Sequence, residues 1–437
     1  MRYRQILLVL FSFAFAVAAF AADKLSTEEL IQNLKAQDPK VRAEAGKELG
    51  DRGEKLGLEA LDQATMDKDP RVQLEVVDAL GKIQNPQQVM YLSRAVKNTS
   101  GEAQKKGVRL LTQIYIPTEE HGKLTELWNS FSALFEPPDV RTIEPWITVD
   151  DQAIDAIAFV MDQKESENRM EAAAALGVLR AKQVIPRIAY YLKSENTKMV
   201  RTCVRSLGYI GDPEAGQYLI PMLKHPDDDV VVDSARVLGQ LHYHDALPEL
   251  QRLFEYSGKD PQRRASLQAI SKIADPSYEA LMLKYMNSDD DKYLKQYATE
   301  AIGRMKLQNH VQTLQLAFQR EKSTRIKLAL CFSLYSLGQT AYIDTIVLKL
   351  KDPDYEKQAQ GYLVELGPTA VPSMAGYLKG ADKKFRIRLI ETLGDMHQPA
   401  AIPYVEPYLK DKEVAVAQAA TDTVGRLRRI EKAQNNS

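Results

Sequence analysis

Apolar and polar positions alternate with a helical rhythm that restarts about every 31 residues. An aliphatic residue followed by glycine recurs as Leu49-Gly50, Leu80-Gly81, Leu176-Gly177, Leu207-Gly208, Leu238-Gly239, Ile302-Gly303, Leu337-Gly338, Leu366-Gly367, Leu393-Gly394 and Val424-Gly425. Successive glycines stand 31 apart at 50→81, 177→208, 208→239 and 394→425, and 27 to 35 apart at the other single steps. Upstream of Gly239, residues Val230, Ser234, Val237 and Leu238 lie at −9, −5, −2 and −1, one face of a 3.6-residue helix. The −5 position elsewhere holds Ala45, Ala172, Cys203, Ala298, Ser333 and Ala420, small enough to let neighbouring helices approach closely. The glycine itself is expected to be a left-handed cap ending this helix.

A turn and a second helix follow, announced by Ile185-Pro186, Leu247-Pro248, Val371-Pro372 and Ile402-Pro403; proline in a first helical turn loses no hydrogen bond. Acidic turns then return the chain at Asp38-Pro39, Asp69-Pro70, Asp227-Asp228-Asp229, Asp260-Pro261 and Asp289-Asp290-Asp291, where a carboxylate caps the next helix. Ser26-Thr27-Glu28-Glu29 has the form of a capping box. A fixed period of this length predicts stacked two-helix units, each burying its apolar face against its neighbours. The expectation is one continuous array over 22–432, of about 13 units, with a short polar tail at 433–437.

Asp-x-x-Val-Arg-x-x-Ala-x-x-x-Leu-Gly followed by Gly-Asp-Pro-x-Ala is similar to HEAT repeats of the short bacterial type, often called phycobilisome-lyase-like. It is carried by Asp38-Pro39-Lys40-Val41-Arg42 through Gly50, by Asp69-Pro70-Arg71-Val72 through Gly81, and by Gly211-Asp212-Pro213-Glu214-Ala215. The resemblance implies an all-α fold, an α-solenoid wound as a right-handed superhelix, and a scaffold or adaptor in place of an enzyme. The stretch 113–165 departs from the pattern. Thr112 takes the glycine position and stands 65 residues before Gly177, close to two periods, so a degenerate repeat is expected there. Both tryptophans, Trp128 and Trp146, fall in it. They offer either a partner-binding surface, where tryptophan dominates the energetics, or filling for a stack distorted by Pro137, Pro138 and Pro145.

Composition narrows the classes. Of 437 residues, 44% are hydrophobic and 27% charged, the balance of a folded chain. Arg2 and Arg4, an apolar run from Ile6 to Phe20 and Ala19-Phe20-Ala21 read as a secretory signal over 1–21. The run is short for a membrane span. The expected mature protein is therefore exported, to the periplasm or the exterior, with no membrane span. Removing that segment leaves 56 basic and 59 acidic residues, which gives no general attraction to nucleic acid. Cys203 and Cys331 stand four repeats apart, roughly 30–40 Å at the spacing of packed helices, too far for a disulfide.

On the side of the glycine-ending helix opposite its apolar positions, an exposed face is expected at −7, −4 and −3. Positive charge gathers there in Arg201, Arg205, Arg236 and Arg264, a surface for an acidic patch on a protein partner or a solvated face of mixed charge. His242-Tyr243-His244-Asp245 offers metal-type ligands but reads as a turn, and the aspartate triplets lack the glycine and downstream glutamate of a calcium loop. No nucleophile motif, phosphate loop or metalloprotease signature is present. The expectation is no catalysis, no cofactor and no metal. The alternatives are a lyase-like or cofactor-handling subunit, or polysaccharide binding.

Overall fold

The computed structural model describes residues 25–116, 142–144, 146–164 and 166–435. The signal segment 1–21 and Trp128 lie outside the described residues. The fold is all-α, built of stacked helix pairs. The chain forms two compact units, one of residues up to 181 and one of residues from 182 onward, with 144–146 grouped in the second.

The first unit holds α1 (Thr27–Asn33), α2 (Pro39–Asp51), α3 (Leu58–Ala64), α4 (Pro70–Lys82), α5 (Gln88–Asn98), α6 (Gly101–Gln113), α7 (Asp151–Asp162) and α8 (Arg169–Val178). The second holds α9 (Ile185–Tyr190), α10 (Thr197–Ile210), α11 (Gly216–Leu219), α12 (Asp228–Gln240), α13 (Leu247–Tyr256), α14 (Asp260–Ile273), α15 (Glu279–Met286), α16 (Lys292–Arg304), α17 (Val311–Arg320) and α18 (Thr324–Ser336). It continues with α19 (Ile343–Leu348), α20 (Glu356–Leu366), α21 (Val371–Leu378), α22 (Lys383–Asp395), α23 (Ile402–Val405) and α24 (Val414–Asn435). Among the described residues these make twelve helix pairs. No helix among them is long and apolar enough to cross a membrane.

The local signals act as their chemistry requires. The Ser26 hydroxyl accepts from the Glu29 amide and the Glu29 carboxylate accepts from the Ser26 amide, closing the capping box. Asp38, Asp69, Asp227 and Asp291 each accept an amide from the first turn of the next helix. Asp260 instead begins its helix as the first residue. Pro186, Pro248, Pro372 and Pro403 sit in first turns. The small −5 residues are buried, and both cysteines are buried and form no disulfide.

The glycines do something other than expected. In α2, α4, α8, α10, α12, α16 and α22 the repeat glycine lies within the helix, and in all of these but α4 the left-handed residue comes three positions later: Gly53, Arg180, Gly211, His242, Lys306 and His397, with Ala274 in the same place after α14. After α12 the His242 amide donates to the Gly239 carbonyl and the Tyr243 amide to Leu238, the paired bonds of a Schellman turn. Glycine stands in the last turn because the next helix crosses there. A Cβ added at Gly50 would lie 2.5 Å from the Ala79 Cα, at Gly239 2.6 Å from the Ala269 Cα, and at Gly303 2.5 Å from the Ser333 Cα. The requirement is steric.

This reassigns two of the glycines. Gly338 (φ 86) holds the place His242 holds, its amide donating to the Tyr335 carbonyl while the Gln339 amide donates to Leu334. Gly367 (φ 65, ψ −144) ends α20 in a conformation that essentially only glycine adopts. Both belong to the turn, so the crossing positions of their repeats are Tyr335 and Val364. The uneven spacings of 35 and 27 residues come from mixing the two positions.

The stretch 113–165 is also corrected. α5 packs directly on α7 and α6 directly on α8. Asn168 donates to the Gly101 carbonyl (2.9 Å), and Arg109 pairs with Glu171. No repeat lies between these pairs, so the chain from 117 to about 150 is an insertion between adjacent repeats. At its end, the Ile143 amide donates to the Val178 carbonyl (3.0 Å).

Candidate functional site

Except where α5 and α6 meet α7 and α8, the glycine-side helices of each unit pack on one another more closely than the first helices of the pairs do. Their side chains therefore meet across repeats, and the residue just after the crossing position forms a polar ladder. Lys82 pairs with Asp51 (2.7 Å), and Arg426 with Asp395 (2.8 Å). From α14 to α20 the ladder changes character, because the crossing positions there are Ser271, Gly303, Tyr335 and Val364.

Ser271 replaces a steric contact with hydrogen bonds. Its hydroxyl donates to the Tyr297 carbonyl (2.7 Å) and accepts from Arg304 (2.8 Å). Arg304 then reaches past α18 to α20, where Nε and Nη2 take the two oxygens of Glu365 at 2.6 and 2.8 Å. Its Nη1 also meets Glu300 at 2.9 Å. The guanidinium lies over the Phe332 ring, which stacks on Tyr362 with centroids 4.7 Å apart. The Tyr362 hydroxyl donates to Glu300 and accepts from Gln358. Glu300 is 4% exposed and Tyr362 5%. Burial opposes the charge on Arg304, yet Glu300 and Glu365 hold its pKa above the ordinary value. Burial, with Glu300 beside it, raises the Tyr362 phenol well above its own.

Beside this network is an open pocket of about 590 Å³. His242, Ala274, Lys306 and Gly338, the left-handed turn residues of four consecutive repeats, line it. Lys272, Arg304 and Tyr335 line it from the last turns of α14, α16 and α18, and Phe332, Ile273 and Leu366 supply apolar wall. The Lys306 ammonium donates to the Ser336 carbonyl (2.9 Å). Lys272 is half-buried and makes no hydrogen bond or ion pair among the described residues. Burial first, and the nearby Arg304 second, lower its pKa.

The arginines singled out by sequence have a different setting. Arg201 meets Asp229 (2.6 Å) and Asp233 (3.0 Å), and Arg205 shares Asp233 (3.1 Å). The Arg201 and Arg205 side chains are only 13% and 11% exposed. Arg264 pairs with Asp291 (2.7 Å) and lies over the Tyr293 ring. Arg236 is exposed. Much of the expected basic face is thus turned to pairing between adjacent helices, which leaves the −3 positions mostly half-buried. Trp146 is 37% exposed. Among the described residues no group of three His, Cys, Asp or Glu side chains is placed to hold a metal.

The helical rhythm singles out none of Lys272, Arg304 and Glu365. All three lie one residue past a crossing position, and glycine at the turn positions 338 and 367, three residues beyond the crossings, masks that row.

Comparison with known proteins gives a match to HEAT repeats at residues 27–110 and 155–237. No curated protein matches the chain in sequence. Among solved structures, an engineered protein aligns at 16% identity over 93% of this chain and 99% of that one, with a TM-score of 0.28. Human deoxyhypusine hydroxylase in complex with glycerol aligns at 19% identity over 58% of this chain and 99% of that one, with a TM-score of 0.29. The karyopherin Kap121p, bound to the extreme C-terminus of the protein phosphatase Cdc14p, aligns at 12% identity over 93% of this chain and 58% of that one, with a TM-score of 0.45. The stretches 27–110 and 155–237 match the HEAT-repeat model, and stacked helix pairs continue through the rest of the described residues.

Proposed function

We propose that this chain is an exported, non-catalytic scaffold that binds a protein partner through the layer of glycine-side helices. The observation that carries the reading is the pocket of about 590 Å³ in that layer, where polar and aromatic side chains from five consecutive repeats converge. Pockets of this size with a few convergent polar groups are the usual places for recognition. We read the repeats as the short bacterial type, on the Asp-x-x-Val-Arg and Gly-Asp-Pro-x-Ala motifs, and the export on the segment 1–21.

Affinity capture from the exported fraction tests this. The expected result is one protein recovered in fixed stoichiometry. Co-purified pigment or metal without a protein would favour cofactor handling, and retention on cell-wall polysaccharide alone would favour sugar binding; either would overturn the scaffold reading. Recovery of the full-length chain only from the cytoplasm would overturn the export.

A further inference from the structure

We propose that the pocket beside Lys272 binds a carboxylate, carried by a side chain or chain end of the protein partner. The proposal rests on the protein-binding reading and names the group that reading requires. Its basis is the ladder of residues one past each crossing position. In that row Asp51 is answered by Lys82, Asp395 by Arg426, and Arg304 by Glu365. Lys272 has Gln240 on one side and Arg304 on the other, and Arg304 already holds both oxygens of Glu365 and one of Glu300. Every carboxylate near the pocket is therefore committed; the exposed Lys306 has a carbonyl partner, and the half-buried Lys272 ammonium is left with none among the described residues.

The surroundings fit a carboxylate better than another ligand. Lys306 keeps donors to spare after its bond to Ser336, and His242 stands at the rim. Phe332, Ile273 and Leu366 give an apolar wall for the carbon chain that bears the acid. A cationic ligand would meet three cationic side chains, and a neutral one would leave Lys272 unanswered. The C-terminal dipoles of the helices ending here carry partial negative charge, about half a unit each, which the last-turn cations already offset. The lowered pKa of Lys272 agrees with an ammonium short of a counter-charge.

The test follows acetylation of Lys272, against the exposed Lys40 outside the pocket as internal reference, by mass spectrometry of the full chain treated with acetic anhydride. Three probes are added separately: acetyl-Phe-Glu-amide, its glutamine counterpart, and succinate. The glutamate peptide is expected to slow acetylation of Lys272 by about tenfold at saturation, the factor a charge-assisted hydrogen bond supplies. The glutamine peptide is expected to leave it unchanged. By calorimetry, Lys272→Met should abolish binding of the glutamate peptide and Lys272→Arg should retain it. Protection by succinate but not by the peptide would uphold the carboxylate site while removing its protein source, and so count against the protein-binding reading alone. Acetylation unchanged by both succinate and the glutamate peptide would overturn the site, leaving the capture experiment to judge the scaffold.

Discussion

Repeats that cross at glycine and repeats that do not differ in what holds their helices together. At Gly50, Gly239 and Gly303 the next helix comes close enough that a single methyl group would overlap its Cα. At Ser271, Tyr335 and Val364 there is a side chain at the crossing, and polar contacts take over. Ser271 bridges by its hydroxyl, while Arg304, Glu300, Glu365 and Tyr362 join α16 to α20 across α18. Close crossing leaves no room between the two helices that meet, even at Gly239 and Gly303 beside the pocket. Relaxed crossing leaves room for a pocket, with buried charge as its scaffold.

Glu300→Ala should separate the two regions most sharply. It strips a carboxylate from Arg304 and Tyr362 in a buried site, with an expected loss of about 3–5 kcal/mol in urea unfolding. A loss below about 1 kcal/mol would mean the network is an ornament of the relaxed region, not its support. Gly239→Ala should cost about 2–3 kcal/mol through overpacking against α14. Gly361→Ala, in α20 where an added Cβ meets nothing within 4 Å, should instead stabilise by about 0.5–1 kcal/mol. Equal costs for the two glycine variants would break the steric account of crossing. Tyr362→Phe should remove about 1–2 kcal/mol with the hydroxyl that joins Glu300 to Gln358.

Smaller effects belong to the pocket rim. Ala274 holds a left-handed conformation (φ 60), so Ala274→Gly should gain about 0.5–1 kcal/mol, read as a rise in Tm. Lys272 supplies the pH dependence. Its pKa is lowered in the folded chain, so between that value and the ordinary 10.5 the unfolded chain holds more protons. Folding stability should therefore rise with pH across that window, the cost of the buried charge being fully present below it. Lys272→Met should remove this slope and raise the Tm at neutral pH by ~1–3 °C.

The helix pairs, their caps and their buried small residues were legible because period, proline and aspartate each have one dominant local meaning. Ser26, Asp69 and Ala298 behave as their neighbours in sequence dictate. What glycine meant was not legible: a turn position and a close crossing both select it, three residues apart, and only the neighbouring helix distinguishes them. The arginines were legible as charge but not as partners, because Asp233 reaches Arg201 and Arg205 from the next repeat. The pocket escaped for the same reason. Lys272, Arg304 and Glu365 are about 30 and 60 residues apart, and no local pattern joins them.

The direct seat of α7 on α5 and of α8 on α6 means that these helix pairs hold each other although some thirty-odd residues separate α6 from α7 in the sequence. Extra chain of that kind is charged mainly for bringing its ends together, a toll that climbs only with the logarithm of its length. The junction after residue 116 is thus a place where the polypeptide can be rewritten or enlarged while the helices on either side keep their grip on each other.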